Sequence, residues 1–155
     1  MGQGIQFPSR GKRSIRKNTA SDQDTLTILL ADDHESVRDL TSRFLVRQGY
    51  TVYTASNGKE VLDILATEEV HVLLLDLMMP EMDGFTLLEH LRECGGRRPY
   101  VIVFSALNRE ADRKAVQDLG GDEYLPKPLH MSYLLDRLLL LQNRFSSSNR
   151  PEESP

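Results

Sequence analysis

The chain has 155 residues, 39% of them hydrophobic, a single cysteine and a formal net charge of −4. That length allows one domain of ordinary size with room for tails. No apolar stretch exceeds five residues, where a membrane helix needs about 20, so membrane insertion is not expected. The amino terminus lacks the apolar segment of a secretory leader, and the lone Cys94 excludes an internal disulfide and fits a reducing compartment. Cytoplasm is the default location.

Residues 1–24 carry Arg10, Lys12, Arg13, Arg16 and Lys17 against Asp22 and Asp24. This segment is rich in Gly, Ser, Lys and Arg, has no apolar periodicity, and reads as a disordered basic arm. The body, residues 25–145, is acidic, and no direct nucleic-acid binding is expected of it. Residues 146–155, from Ser146-Ser147-Ser148 to Pro155, read as a flexible tail or a linker.

Between these ends, short apolar strands alternate five times with helical patterns. The first strand is expected near 27–31. A helix over about 35–48 follows, with Val37, Leu40, Thr41, Phe44 and Leu45 on its inward stripe and Gly49 as its stop. A strand near 50–54 leads through Asn57-Gly58 to a helix with Val61, Leu62 and Leu65 inward. The third strand, near 71–75, leads through Asp83-Gly84 to a helix that buries Phe85, Leu87, Leu88 and Leu91 and ends at Gly95-Gly96. After a strand near 100–104, Asn108 is a candidate N-cap for a mostly polar helix that stops at Gly120-Gly121. A strand near 122–125 precedes the last helix, Met131 to Arg144. Its inward stripe is Leu134, Leu138, Leu141 and Phe145, widened by Leu135 and Leu139. Leu140 falls outward, either as an ordinary exposed apolar residue or as part of a dimer or docking face.

The strands are apolar on both faces, as buried parallel strands are. Five βα units of this length build an open, doubly wound sheet with right-handed crossovers. Ligands in such sheets sit at the carboxyl ends of the strands. Those ends here are Asp32-Asp33, Asp76, Ser105 and, after Tyr124-Leu125-Pro126, Lys127. Adjacent carboxylates repel unless a cation neutralises them, and oxygen ligands of this kind suit Mg²⁺. A carboxylate at Asp76 could act as nucleophile toward a phosphoryl donor, with Lys127 balancing the transferred charge and Ser105 placed to donate a hydrogen bond.

Leu29–Asp33, the run Asp76-Leu77-Met78-Met79-Pro80 with Gly84 eight residues after the aspartate, Ser105-Ala106, and Tyr124 with Lys127-Pro128 together resemble the receiver domain of bacterial two-component response regulators. The resemblance covers roughly Thr25 to Phe145. It implies a flavodoxin-like (βα)5 fold with strand order 2-1-3-4-5 and a signalling switch in a two-component system or phosphorelay, without turnover of a free substrate. It implies further that Asp76 accepts a phosphoryl group from a histidine kinase, a phosphotransfer protein or a small donor. Mg²⁺ would be held by Asp33 directly, Asp32 through water, Asp76, and the backbone carbonyl of Met78. Lys127 would bind the phosphoryl group, with a cis Lys127–Pro128 bond. Ser105 and Tyr124 would form the switch pair that reshapes the face made by the fourth helix, fifth strand and fifth helix, where a second copy or an effector protein would dock. The family positions that flank the phosphoryl group are Met78 and Leu107, both apolar, so slow self-dephosphorylation is expected.

Two alternatives remain at this level. A Mg²⁺-dependent phosphatase or phosphotransferase would also use Asp76, but it usually places a second aspartate where Met78 stands. The chain could also be the receiver part of a longer regulator with a separate output domain. The four histidines, His34, His71, His90 and His130, form no metal set in the sequence, and His34 reads as a helix-start residue.

Overall fold

The computed structural model describes residues 25–95, 97–107 and 109–148. Strands and helices alternate as β1 (Thr27–Ala31), α1 (Glu35–Arg47), β2 (Thr51–Ala55), α2 (Gly58–Thr67), β3 (Val72–Asp76), α3 (Gly84–Cys94), β4 (Tyr100–Ser105), α4 (Glu110–Asp118), β5 (Glu123–Pro126) and α5 (Met131–Ser148). All pairings are parallel, in the order β2-β1-β3-β4-β5. This is the order and the (βα)5 architecture expected from the resemblance. The basic arm, Gly96, Asn108 and the tail from residue 149 lie outside the described residues.

Strand alternation sorts the core into two layers. Leu29, Ala31, Tyr53, Ala55, Leu73, Leu75, Val101 and Val103 point to the face covered by Val61 and Ile64 of α2, Leu87, Leu88 and Leu91 of α3, and Val116 of α4. Ile28, Leu30, Val52, Val72, Leu74, Ile102, Phe104 and Leu125 point to the other face, under Leu45 of α1 and Leu134, Leu138 and Leu141 of α5. Asn57 caps α2 by accepting from the Glu60 N–H, and Asp83 caps α3 by accepting from the Thr86 N–H. Gly49, at φ 99°, turns the chain out of α1.

Helix α1 departs from the expected inward stripe. Its buried residues are Arg38, Thr41, Ser42 and Leu45, themselves at helical spacing, while Val37 is exposed and Leu40 is 69% exposed. The reason is a long-range bond. The Arg38 guanidinium, only 6% exposed, donates to the Asp32 carbonyl at 2.7 Å. A buried charged donor must have its acceptor, so it fixes the roll of the helix and turns Val37 and Leu40 to solvent.

Helix α5 departs in two ways. Leu139 is exposed along with Leu140. The helix also runs to Ser148 instead of Arg144, so the serine run assigned to a tail begins as its last turn. Phe145 remains tied to the body, its ring tilted on that of His71 with centroids 5.6 Å apart.

The roll of α1 gives a direct expectation. Leu45→Ala should cost about 2–5 kcal/mol, as for a fully packed leucine, and Leu40→Ala no more than about 0.5 kcal/mol, both read by urea unfolding. A loss at Leu40 as large as that at Leu45 would place both leucines inward and contradict this roll.

Candidate functional site

The sheet delivers its polar residues to one edge. Asp32 follows β1 and is buried, its N–H donating to the Ala55 carbonyl at 3.1 Å. Asp76 is the last residue of β3 and is 1% exposed. Ser105 closes β4, and the N–H of Lys127, just past β5, donates to its carbonyl at 2.9 Å. The Lys127–Pro128 bond is cis.

These side chains meet. Lys127 Nζ lies 3.1 Å from Asp76 Oδ2 and 3.6 Å from Asp32 Oδ2. The Met78 N–H donates to Asp76 Oδ1 at 3.1 Å, while the Met78 side chain stands out in solvent. Burial pushes the Asp76 carboxyl above the usual carboxylate range. The Met78 N–H and Lys127 pull it back, and the Asp32 charge raises it again. Gly84 lets α3 approach this loop: a Cβ there would stand 2.8 Å from Leu77 Cα and 3.1 Å from the Asp76 carbonyl oxygen.

Asp33 sits at the rim of the pocket. Beside it is a residue that the sequence reading set aside. His34 occupies the N-cap position of α1 without capping the helix through its side chain. Its Nδ1 lies 3.2 Å from Asp32 Oδ1 and 3.1 Å from Asp33 Oδ1. Asp32, Asp33, His34 and Asp76 each offer one ligand atom, all within 4.8 Å of one another. The adjacency of His34 to the acidic pair was the signal for it, because a tight turn after a strand can fold the third side chain back over the first.

The donor set fits a cation. Asp32 Oδ1 accepts from the His34 N–H at 2.9 Å. Asp32 Oδ2 is the buried side-chain oxygen, among the described residues, that has no hydrogen bond. A buried carboxylate oxygen left without a donor is costly, and Lys127 at 3.6 Å compensates it only by charge. Two buried carboxylates with a third, partly exposed one at the rim match a hard divalent ion that retains waters.

Both hydroxyls of the expected switch pair end on one residue. Ser105 Oγ accepts from the Leu107 N–H at 3.1 Å. The Tyr124 hydroxyl donates to the Leu107 carbonyl, and the Arg113 guanidinium of α4 covers the Tyr124 ring at 4.9 Å. A groove of about 590 Å³ at the opposite edge of the sheet, between Leu62, Leu91, Pro99 and Phe145, contains none of the strand-end carboxylates.

A parallel sheet in this order, with carboxylates and a lysine joined at its carboxyl edge, defines a flavodoxin-like α/β domain built around an acidic pocket. Residues 28–139 match the family model of the response regulator receiver domain. Response regulator MprA of Mycolicibacterium vanbaalenii is 37% identical over 127 residues, covering 82% of this chain and 54% of that protein. The receiver domain of the Francisella response regulator 1452 superposes with a TM-score of 0.73 at 31% identity, covering 78% of this chain and 99% of that one. The CheY-like receiver domain protein of Methanospirillum hungatei JF-1, at 24% identity and a TM-score of 0.73, covers 81% of this chain and 99% of its own and shares the fold. The chain belongs to the response regulator receiver family of two-component signal transduction. It spans about half the length of the curated relatives it matches.

The charge crowding predicts a pH-dependent gain from Asp76→Asn. A carboxyl whose folded pKa is raised holds its proton better folded than unfolded. Its ionisation therefore costs stability as pH climbs from 3.8 through the folded value. In metal-free buffer at pH 7 the variant should melt at a higher temperature than the wild type. The gain should vanish in acid below the ordinary carboxylate pKa. A variant that melts lower at pH 7 would mean that the Lys127 contact outweighs the burial.

Proposed function

We propose that this chain is a cytoplasmic phospho-acceptor switch that takes a phosphoryl group onto Asp76 from a histidine kinase or phosphotransfer protein in a Mg²⁺-dependent reaction. The observation that carries this reading is Lys127 Nζ lying 3.1 Å from the buried Asp76 carboxylate, with Asp32 on its other side. Such a lysine can follow the charge from the carboxylate onto a phosphoryl oxygen without leaving the pocket.

In the transfer, an Asp76 oxygen attacks phosphorus. The bond from phosphorus to the donor's imidazole nitrogen breaks, an acyl phosphate forms, and the departing imidazole regains a proton from solvent. Asp32, Asp33, Asp76 and the Met78 carbonyl are the groups that would hold Mg²⁺, which when bound supplies positive charge to the carboxylates and to the phosphoryl oxygens. Lys127 grips the phosphoryl group from the β5 side. Ser105 turns its hydroxyl from the Leu107 N–H toward the new anion, and the β4–α4 loop follows. Tyr124, tied to the Leu107 carbonyl, moves with it. The signal thereby reaches the surface formed by α4, β5 and α5, where Tyr133, Leu139 and Leu140 are exposed and a second copy or an effector protein would bind. The exposed Val37 and Leu40 of α1, four and seven residues past Asp33, give an incoming donor an apolar foothold next to the pocket. No free substrate is turned over.

Intact-mass measurement after incubation with acetyl phosphate tests the acceptor. One phosphoryl adduct is expected on the wild-type chain with Mg²⁺, and none on Asp76→Ala or in chelator. An adduct that survives Asp76→Ala would place the acceptor elsewhere. If acetyl phosphate leaves the wild type unmodified, the same readout with a phosphorylated histidine kinase decides the matter, and failure there would sink the reading.

The adduct should also be long-lived. Hydrolysis needs a water held in line with the phosphorus, and Met78 and Leu107 offer no polar side chain to hold one. Loss of the adduct is expected over minutes or longer, and Met78→Asn should speed it severalfold. Decay within seconds in the isolated wild-type chain would contradict this.

A further inference from the structure

We propose that His34 is an additional metal ligand in this pocket and that its imidazole shifts the site's preference from Mg²⁺ toward divalent first-row transition cations such as Mn²⁺ and Co²⁺. The proposal rests on reading the acidic pocket as a metal site, and it adds a nitrogen donor that the carboxylate set lacks.

Three observations carry it. His34 Nδ1 lies 3.2 Å from Asp32 Oδ1 and 3.1 Å from Asp33 Oδ1. In an octahedral site with bonds of about 2.1 Å, neighbouring ligand atoms stand about 3.0 Å apart. The imidazole nitrogen is therefore already spaced from both carboxylates as an adjacent ligand would be. Second, Asp32 Oδ2 is buried in the same cluster without a hydrogen bond, met only by the Lys127 charge at 3.6 Å, so it retains lone pairs for a cation. Third, the His34 side chain is 63% exposed while Nδ1 is the ring atom set against Asp32 and Asp33, and an imidazole with its proton on Nε2 has a lone pair at that atom for an ion.

The chemistry gives the direction of the preference. Mg²⁺ is a hard ion that binds carboxylates, carbonyls and water, and gains little from an imidazole. Mn²⁺, Co²⁺ and Ni²⁺ bind mixed nitrogen and oxygen sets increasingly well along the series. His34 is held for this by the backbone: its N–H donates to Asp32 Oδ1 at 2.9 Å, and its carbonyl accepts from the Arg38 N–H at 2.9 Å. The turn that positions Asp33 thus also fixes the root of the imidazole.

The test compares the full chain with His34→Ala and His34→Gln, titrated separately with Mg²⁺, Mn²⁺ and Co²⁺ by calorimetry. A melting curve without metal shows that each variant folds. Loss of His34 is expected to weaken Co²⁺ binding by about tenfold or more, Mn²⁺ by less, and Mg²⁺ by under about twofold, in line with the ordering of nitrogen affinity. Pulsed electron paramagnetic resonance of the Mn²⁺-loaded wild type should show coupling to an imidazole nitrogen that both variants lose. Unchanged relative affinities together with no nitrogen coupling would overturn the proposal while leaving the carboxylate site intact. Failure of the wild type to bind any of the three ions would overturn both it and the metal-dependent phosphoryl reading.

Discussion

The structure depends on holding two carboxylates, Asp32 and Asp76, out of solvent within reach of the same ammonium group. Ionised side chains in such a place are tolerated only when paired, and Lys127 pairs with both. The pairing needs β1, β3 and β5 to end level with one another, which the parallel register supplies: Ala31 lies opposite Leu75, Asp76 opposite Phe104 and Ser105 opposite Pro126. The two apolar layers keep that register. A slip of one residue in a strand would turn its leucines and valines to the wrong face and carry its terminal polar group away from the pocket. Packing and chemistry therefore constrain each other through the same hydrogen bonds.

The same edge links the pocket to the outer surface. Ser105, Leu107 and Tyr124 form a short relay in which one backbone residue receives both hydroxyls. The N–H of Leu107 is engaged on one side and its carbonyl on the other, so the loop between β4 and α4 responds to either. Arg113 over the Tyr124 ring adds a cation–π contact from α4. An event at the strand ends is thus felt by a helix that contributes only Val116 to the buried core. A helix so lightly anchored is the kind of element that can shift at little cost.

Much of this was legible in the sequence. Strand ends lay within a residue of the observed ones, because runs such as Val72-Leu73-Leu74-Leu75 can only be buried strands between polar loops. Asp32, Asp76, Ser105 and Lys127 were assigned to one place by the rule for parallel sheets, and the sheet puts them there. Helix α1 was misread because two stripes at helical spacing compete in it. The expected one runs through Val37, Leu40, Thr41, Phe44 and Leu45, and the buried one through Arg38, Thr41, Ser42 and Leu45, so they share Thr41 and Leu45 and differ at Val37, Leu40, Arg38 and Ser42. Hydrophobicity favours the first, and a single bond from Arg38 to the Asp32 carbonyl selects the second. No local pattern contains that bond. His34 was passed over for a related reason, since its place over the carboxylates comes from the turn and not from any spacing of ligand residues. Leu139 was assigned inward because four consecutive leucines offer no contrast by which to judge the roll of α5.

The order of the strands also governs how the charges arrive as the chain is made. With β1 between β2 and β3, residues 27–76 close three adjacent strands and already contain Asp32, Asp33 and Asp76. Lys127 comes some fifty residues later, just past the outermost strand at the far side of β4. A nascent chain that has folded only its first half holds the acidic cluster without the ammonium group that pairs with Asp32 and Asp76, and like charges so close resist being gathered. Cations in the surrounding solution can shield that cluster until the final strand docks. The docking of β5 then adds more than apolar surface, because it brings the lysine that pairs with both buried carboxylates.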